Sequence, residues 1–320
     1  MSTTAAKPAP QTGAGLLVKS LEAQGVEYIF GVPGAKIDKV FDALLDSKIK
    51  TVVCRHEQNA AFIAGGIGRM TGKAGVALVT SGPGCSNLVT GLATANSEGD
   101  PVVAIGGAVT LADRLKQIHQ SMDTVSLFRP ITKFSAEIDS PDSVSEVVAN
   151  AFRSAESGRP GAAFISAPKD IMVGRADGEV LTPTAAESHG PADAGAITAA
   201  ARLIGSAKKP VLLLGLLASG KSAAEAIRGL LAKTKLPVVC TYQGAGVVPR
   251  EHFERFGGRI GLFHTQPADR LLDAADVVVA VGYDPIEYEP SLWNQGKKRI
   301  SSISTSFLRI STRATTPSLN

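Results

Sequence analysis

Short β-branched apolar runs, each followed by a stretch of helical period, recur along most of this chain, and that alternation constrains its fold more than any other feature. In order, the first runs are VEYIFGV, KTVVCR, AGVALVTS, PVVAIGG and AAFISA. Between the first two, AKIDKVFDALL places Ile37, Val40, Phe41, Leu44 and Leu45 on one helical face. The stretch SPDSVSEVVANAF offers Ser140 as a helix N-cap, Pro141 at the first helical position, and a stripe of Val144, Val147, Val148 and Ala151. Strand and helix in strict alternation predict an α/β fold with a doubly wound parallel sheet. Near residue 170 the pattern breaks at GRADGEVLTPTAAESHGPADAG, which reads as a linker, and a second series follows with PVLLLG, LPVVCTY and DVVVAVGY. The expected organisation is a disordered tail over 1–11, a first domain over 12–170, a linker over 171–192, a second doubly wound domain over 193–300, and a tail over 301–320. That last tail is half Ser or Thr and follows neither period.

Composition narrows the class. Apolar residues make up 44% and charged residues 19% of the 320, as in soluble globular chains. The apolar runs are too short to span a bilayer, so no membrane partner is expected. The N-terminus MSTTAAKPAPQTG lacks the apolar core of a signal peptide, and Cys54, Cys85 and Cys240 have neither metal-ligand spacing nor a disulfide framework. A cytoplasmic location follows as the expectation. The net charge of +4 comes from the end of the chain, where Lys297, Lys298, Arg299, Arg309 and Arg313 stand without an acid. The remainder is close to neutral, so no nucleic-acid face is implied.

Ligands of an open parallel sheet sit at the carboxyl ends of its strands. Those ends read GVPGAK, RHEQN, TSGPGCSN and GGAVTLADRLKQIHQS. Pro33 and Pro83 fix two turns, while Gly34 and Gly84 allow backbone to approach a flat ligand closely. One carboxylate, Glu57, lies in RHEQN at the seam between a strand and a small-residue helix. On its own it reads first as an acid complementing a helix N-terminus. Four such loops with one acid suggest a planar heterocycle held by backbone and one charged contact.

Residues from about 12 to 300 resemble the thiamine-diphosphate enzymes. The stretches FGVPGAKIDKVFDALL, RHEQNAAFIAGGIGRMTGKAGVALVTSGPGCSNLVTGLATANSEGDPVVAIGG and HQSMD are similar to the catabolic acetolactate synthases, and PGAKID to the catabolic form in particular. The resemblance implies a pyrimidine-binding domain followed by a dinucleotide-like central domain. It implies a transferase that joins two pyruvates to 2-acetolactate with loss of CO2, using thiamine diphosphate and Mg2+ and without a requirement for FAD. By the same likeness Glu57 hydrogen-bonds the cofactor's aminopyrimidine and favours the tautomer that generates the reactive ylide. Pro33, Gly34, Thr80, Pro83, Gly84 and Asn87 would line the pyrimidine pocket, and Gln120 would reach the reacting carbons. Lys36, in what reads as a first helical turn, would face a pyruvate carboxylate, with neutralisation by Asp38 as the alternative. The small residues Ala60, Ala61 and Ala64 would let the helix approach cofactor or subunit closely. Homodimers or homotetramers are the family's assembly.

Three readings compete or qualify. GLLASGKS, from Gly215 to Ser222, satisfies the phosphate-loop pattern and suggests a nucleotide triphosphatase, although its spacer lacks further glycine. Another thiamine-diphosphate carboligase or decarboxylase is the near alternative, and a non-catalytic remnant the remote one. The family holds diphosphate and Mg2+ through a Gly-Asp-Gly motif followed later by Asn; this sequence contains no Gly-Asp-Gly, so no metal ligands are assigned. From the third base of the Ile303 codon, the codons to Thr312 can encode Leu-Asp-Val-Leu-Pro-Ala-Asp-Ile-Asp, similar to the IDVLPA strand of the family. The expectation is therefore a chain truncated by a frameshift near residue 300 and inactive alone, with a native short form as the competing reading.

Overall fold

A computed structural model describes residues 11–183, 192–263, 266–294, 301–303 and 308–309. Of the expected tail over 1–11 all but Gln11, and most of that over 301–320, lie outside the described residues. The chain divides into two compact units, Met1–Glu187 and Ser188–Asn320.

In the first unit the order is α1 (Gly13–Ala23), β1 (Tyr28–Val32), α2 (Asp38–Leu44), β2 (Lys50–Val53), α3 (Glu57–Thr71), β3 (Gly75–Val79), α4 (Pro83–Ser86), α5 (Val89–Glu98) and β4 (Val102–Ala108). There follow α6 (Thr124–Phe128), β5 (Phe134–Glu137), α7 (Val144–Glu156), β6 (Ala162–Pro168) and α8 (Lys169–Val173). All six strands pair in parallel, in the order β2-β1-β3-β4-β6-β5. The strand path reverses between β1 and β3, so the loops after these two strands flank the topological switch point, where open α/β sheets bind ligands.

Helices cover both faces. One core joins Leu16, Leu17 and Leu21 of α1 to Val144, Val148 and Ala151 of α7 over Leu78, Val103 and Ile165. The other joins Ala60, Ala61 and Ala64 of α3 to Leu88, Leu92 and Phe128 over Ala77, Val79 and Phe164. Both faces being covered explains why the central strands read as unbroken apolar runs.

Three local readings change. Ser140 caps a 3-10 turn, Pro141–Ser143, with its hydroxyl accepting from Asp142 N, so the α-helix itself starts later, at Val144. The segment expected as linker from residue 171 is folded as far as 183: Ile171, Met172 and Ala176 are buried in the α1 core, Ala176 N donates to Gln11 O (2.9 Å), and Leu181 N donates to Ser145 Oγ (2.8 Å). Its polar composition hid three core positions. Finally, Ala60, Ala61 and Ala64 serve contacts inside this unit: a Cβ on Gly91 of α5 would lie 2.4 Å from Ala61 Cβ, and one on Gly75 of β3 would lie 2.1 Å from Ala64 O.

The second unit contains α9 (Ala194–Ser206), β7 (Pro210–Leu214), α10 (Lys221–Lys233), β8 (Val238–Thr241), β9 (Phe256–Ile260), α11 (Pro267–Ala274), β10 (Val277–Val281), α12 (Pro290–Trp293), β11 (Ser301–Ile303) and β12 (Leu308–Arg309). Its sheet runs β12-β11-β10-β7-β8-β9, parallel except for β12. Ser301–Ile303, expected in the tail, continues the sheet beside Val279–Val281 of β10. The molecule is thus two doubly wound α/β units, as the alternation predicts.

Gly68 of α3 tests how tightly this layer is seated. Helix propensity alone favours alanine there by about 1 kcal/mol. A Cβ at that position, however, would lie 2.2 Å from Pro101 O. Overpacking against backbone costs about 1–3 kcal/mol, so Gly68→Ala is expected to lower the urea midpoint. An unchanged or raised midpoint would show that α3 does not rest on Pro101.

Candidate active site

The carboxyl ends of β2, β1, β3 and β4 are neighbours in the sheet, so the four loops singled out in the sequence meet along one edge. At the switch point the approach is closest. A Cβ on Gly34 would stand 2.5 Å from Thr80 Cβ and 2.7 Å from Thr80 Oγ1, so only glycine lets these two loops lie together. Gly84 meets the same side chain: its Cβ would lie 2.9 Å from Thr80 Cγ2 and 3.5 Å from Glu57 Oε1. Thr80 Oγ1 is buried and has no hydrogen-bond partner, although the Thr80 carbonyl accepts from Cys85 Sγ (3.1 Å). A buried hydroxyl without a partner is costly, and here the close packing of Gly34 leaves no room for one.

Glu57 is the first residue of α3, and His56 is its N-cap, with Nδ1 accepting from Gln58 N (3.1 Å). The helix-start acid and the site acid are therefore one residue. Asn87 Nδ2 donates to Glu57 Oε2 at 2.9 Å. Asn87 thus holds the carboxylate, a more definite task than lining a pocket. With Oε2 engaged, Oε1 is left on the side of Gly84. Glu57 is half-buried.

Gln120 joins this cluster through the β3 loop. Ser81 Oγ donates to Gln120 Oε1 at 3.2 Å, and a Cβ on Gly82 would lie 2.9 Å from Gln120 Cα. Gly34, Glu57, Thr80, Gly84, Asn87 and Gln120 are therefore brought together. Pro33 and Pro83 are exposed at the starts of their turns.

Lys36 departs from the sequence reading. The helix begins at Asp38 with Ile37 as N-cap, so Lys36 lies in the turn before it and meets no first-turn penalty. Asp38 does not neutralise it: Asp38 Oδ1 accepts from Lys39 N (2.9 Å), and its Oδ2 lies 3.9 Å from Lys169 Nζ. Lys36 makes no ion pair among the described residues. Its charge is felt by Asp113, which is held below the usual carboxylate range chiefly by hydrogen bonds from Lys116 and Thr110, with Lys36 a minor contributor.

Sequence reasoning missed Ser81, Gly82 and Cys85, which support the site without the residue types usually sought in one. Cys85 is buried, and that burial, followed by the Glu57 charge, pushes its thiol up to about 12. Burial raises Cys240 to about 12 as well, and Cys54, half-buried, is raised less.

Against this site stands the phosphate-loop pattern of the second unit. Its spacer Leu216–Ser219 is a 3-10 helix with Leu216 and Ala218 buried. Three backbone donors at the start of the loop are already used: Gly215 N on Val281 O (3.0 Å), Leu217 N on Gly282 O (3.0 Å), and Leu216 N on Glu287 Oε2 (2.9 Å). A Cβ on Gly215 would lie 2.7 Å from that carboxylate oxygen, so an anion of the chain's own occupies the turn. Among the described residues no group of three or more His, Cys, Asp or Glu is placed to hold a metal ion.

Comparison with known proteins gives the same assignment. The model of the thiamine pyrophosphate enzyme N-terminal TPP binding domain matches residues 11–127, and that of the central domain of the same enzymes matches 197–316. The chain belongs to the thiamine pyrophosphate enzymes. It is 56% identical over 284 residues to the catabolic acetolactate synthase of Raoultella terrigena, covering 89% of this chain and 51% of that protein. It is 54% identical over 282 residues to the acetolactate synthase of Bacillus subtilis (strain 168), covering 88% and 50%. The large subunit of acetolactate synthase isozyme 2 of Escherichia coli (strain K12) is 38% identical over 272 residues, at 84% and 49% coverage. The chain spans about half the length of the curated relatives it matches.

Two outcomes are expected of the purified chain. Iodoacetamide at pH 8 should modify Cys54 first and leave Cys85 and Cys240 until denaturant is added, as read by peptide mass spectrometry; early loss of Cys85 would contradict its packing. Millimolar Mg-ATP should leave the melting temperature unchanged, and a saturable ATPase abolished by Lys221→Ala would revive the phosphate-loop reading.

Proposed function

We propose that this chain supplies the pyrimidine-binding and central domains of an acetolactate synthase, which joins two pyruvates with loss of CO2. The observation that carries the reading is the Glu57 carboxylate with Oε2 held by Asn87 and Oε1 left at the glycine cradle. The residues present suit an aminopyrimidine. Glu57 Oε1, beside Gly84 and not the oxygen held by Asn87, offers the ring a proton acceptor. Thiamine diphosphate, when bound, supplies the electron sink for decarboxylation and carbon–carbon bond formation.

The chain's own part is positional. Asn87 fixes one carboxylate oxygen, so that proton exchange is confined to the other. Gly34 and Gly84 admit the ring edge, and the β1 and β3 loops exclude water from its faces. Pro33 and Pro83 hold those loops in shape. Lys36, which makes no ion pair among the described residues, is assigned to the carboxylate of pyruvate. Gln120 is assigned to the oxygens of the reacting substrate. Mg2+ and the diphosphate are assigned to residues beyond those of this chain, in keeping with the greater length of the relatives. The further reading is of a cytoplasmic homo-oligomer that needs neither FAD, nucleic acid nor membrane. No helix among the described residues is long and apolar enough to cross one.

The test extends the chain to the relatives' length with the C-terminal half of the Raoultella terrigena protein. With thiamine diphosphate, Mg2+ and pyruvate, that protein should release CO2 and form 2-acetolactate, while the 320-residue chain alone should form none. Glu57→Gln in the extended protein should lower kcat about 100-fold or more, the scale of a lost proton-transfer group. Undiminished turnover by Glu57→Gln, or a different product from pyruvate alone, would overturn the reading.

A further inference from the structure

We propose that Ser81 is a positioning residue that fixes which end of the Gln120 amide faces the ligand, so that Gln120 acts as a hydrogen-bond donor. The inference rests on the active-site reading above and deepens it. Ser81 is 2% exposed, and its hydroxyl donates to Gln120 Oε1 at 3.2 Å. That is the one hydrogen bond of either side chain among the described residues. A buried hydroxyl must place its proton on an acceptor, and Gln120 Oε1 is the acceptor within its reach. Were the amide turned over, the serine oxygen would accept from Nε2 and its own proton would be stranded in the interior. The serine therefore selects one of two amide orientations that are sterically equivalent.

The backbone is committed to the same end. Gln120 has φ +63°, the one non-glycine residue with positive φ among those described. Gly82 faces it with φ +59°, and a Cβ there would lie 2.9 Å from Gln120 Cα and 3.0 Å from its carbonyl oxygen. A left-handed glutamine is costly and persists where its surroundings hold it. Here Gly82 leaves the room and Ser81 the anchor, two consecutive residues serving one residue 38 and 39 positions away in sequence. With Oε1 engaged, both N–H bonds of Nε2 remain for the ligand. Donors of this kind suit an oxygen that is anionic or gains negative charge during reaction, such as those of a small 2-oxo acid. They would repel nothing in such a substrate, whereas the amide oxygen would.

Two measurements test this. In the chain labelled with ¹⁵N-glutamine, the Gln120 side-chain amide (assigned by its loss in Gln120→Asn) should show a high heteronuclear NOE. In Ser81→Ala, which removes one atom from a packed site, that NOE should fall while the melting temperature changes little. In the extended protein, Ser81→Ala should lower kcat/KM about tenfold, and adding it to Gln120→Ala should cost nothing further. Gln120→Glu, which replaces the donors by a carboxylate, should lower kcat/KM more than Gln120→Ala. An unchanged NOE in Ser81→Ala, or losses that simply add in the double variant, would overturn the proposal. If Gln120→Ala itself leaves kcat/KM untouched, the assignment of Gln120 to the substrate fails instead, and the NOE still decides whether Ser81 holds the amide.

Discussion

The approach of the β1 loop to the β3 loop, with Gly34 pressed on Thr80, is the contact on which the site depends. It lies at the reversal of strand order in the first unit, where two helices leave the sheet in opposite directions and a crevice opens between them. Because Gly34 has no Cβ, the loops close to within van der Waals contact of Thr80 and still leave its hydroxyl unpartnered. Burying that hydroxyl without a partner costs on the order of 1–3 kcal/mol. The fold tolerates the cost because the surrounding small-residue layer, with Ala60, Ala61 and Ala64 fully buried, fixes α3 and hence Glu57 beside it.

The second unit is also doubly wound, but its strand order differs and its switch point is closed. Its own reversal lies between β7 and β10, and there the two loops bond directly to each other through Gly215, Leu217 and Gly282. Glu287 fills the turn, accepting from Leu216 N and from Thr241 Oγ1 (2.5 Å). Burial pushes its carboxyl up, against the hydrogen bonds that Thr241 and the backbone donate to it. At the first switch point Glu57 Oε1 is left beside Gly84, whereas at the second Glu287 already bonds the turn amide of Leu216. That contrast, and not the match to a motif, separates the two loops chemically.

Much of this was legible in the sequence because the covered sheet leaves its central strands as plain apolar runs. Two edge strands escaped: Phe134–Glu137 is half-buried throughout, and Phe256–Ile260 carries two glycines and an arginine, so neither shows a clean period. Gly34, Glu57 and Gly84 stand out because their loops are adjacent in a parallel sheet, whereas Thr80 and Asn87 are named only by the resemblance to the thiamine-diphosphate enzymes. Their mutual bonds could not be named, since the 2.9 Å contact of Asn87 with Glu57 depends on where α4 ends, and no pattern encodes that. Lys36 reads as helical because Ala-Lys-Ile-Asp continues the helical period, while the chain spends Ala35, Lys36 and Ile37 on the turn and starts the helix at Asp38. GLLASGKS misled for the opposite reason. The pattern specifies residue types, but whether the amides are vacant depends on Glu287, 65 residues beyond Ser222.

The central claim is that one oxygen of Glu57 is left to exchange a proton with a bound ring while Asn87 restrains the other. The most direct measurement is the rate at which the thiazolium C–H of bound thiamine diphosphate exchanges with deuterium, followed by quenched-flow NMR in the extended protein. The account predicts rapid exchange in the parent, a rate lower by about 100-fold or more in Glu57→Gln, and an intermediate rate in Asn87→Ala. Exchange as fast in Glu57→Gln as in the parent would contradict it.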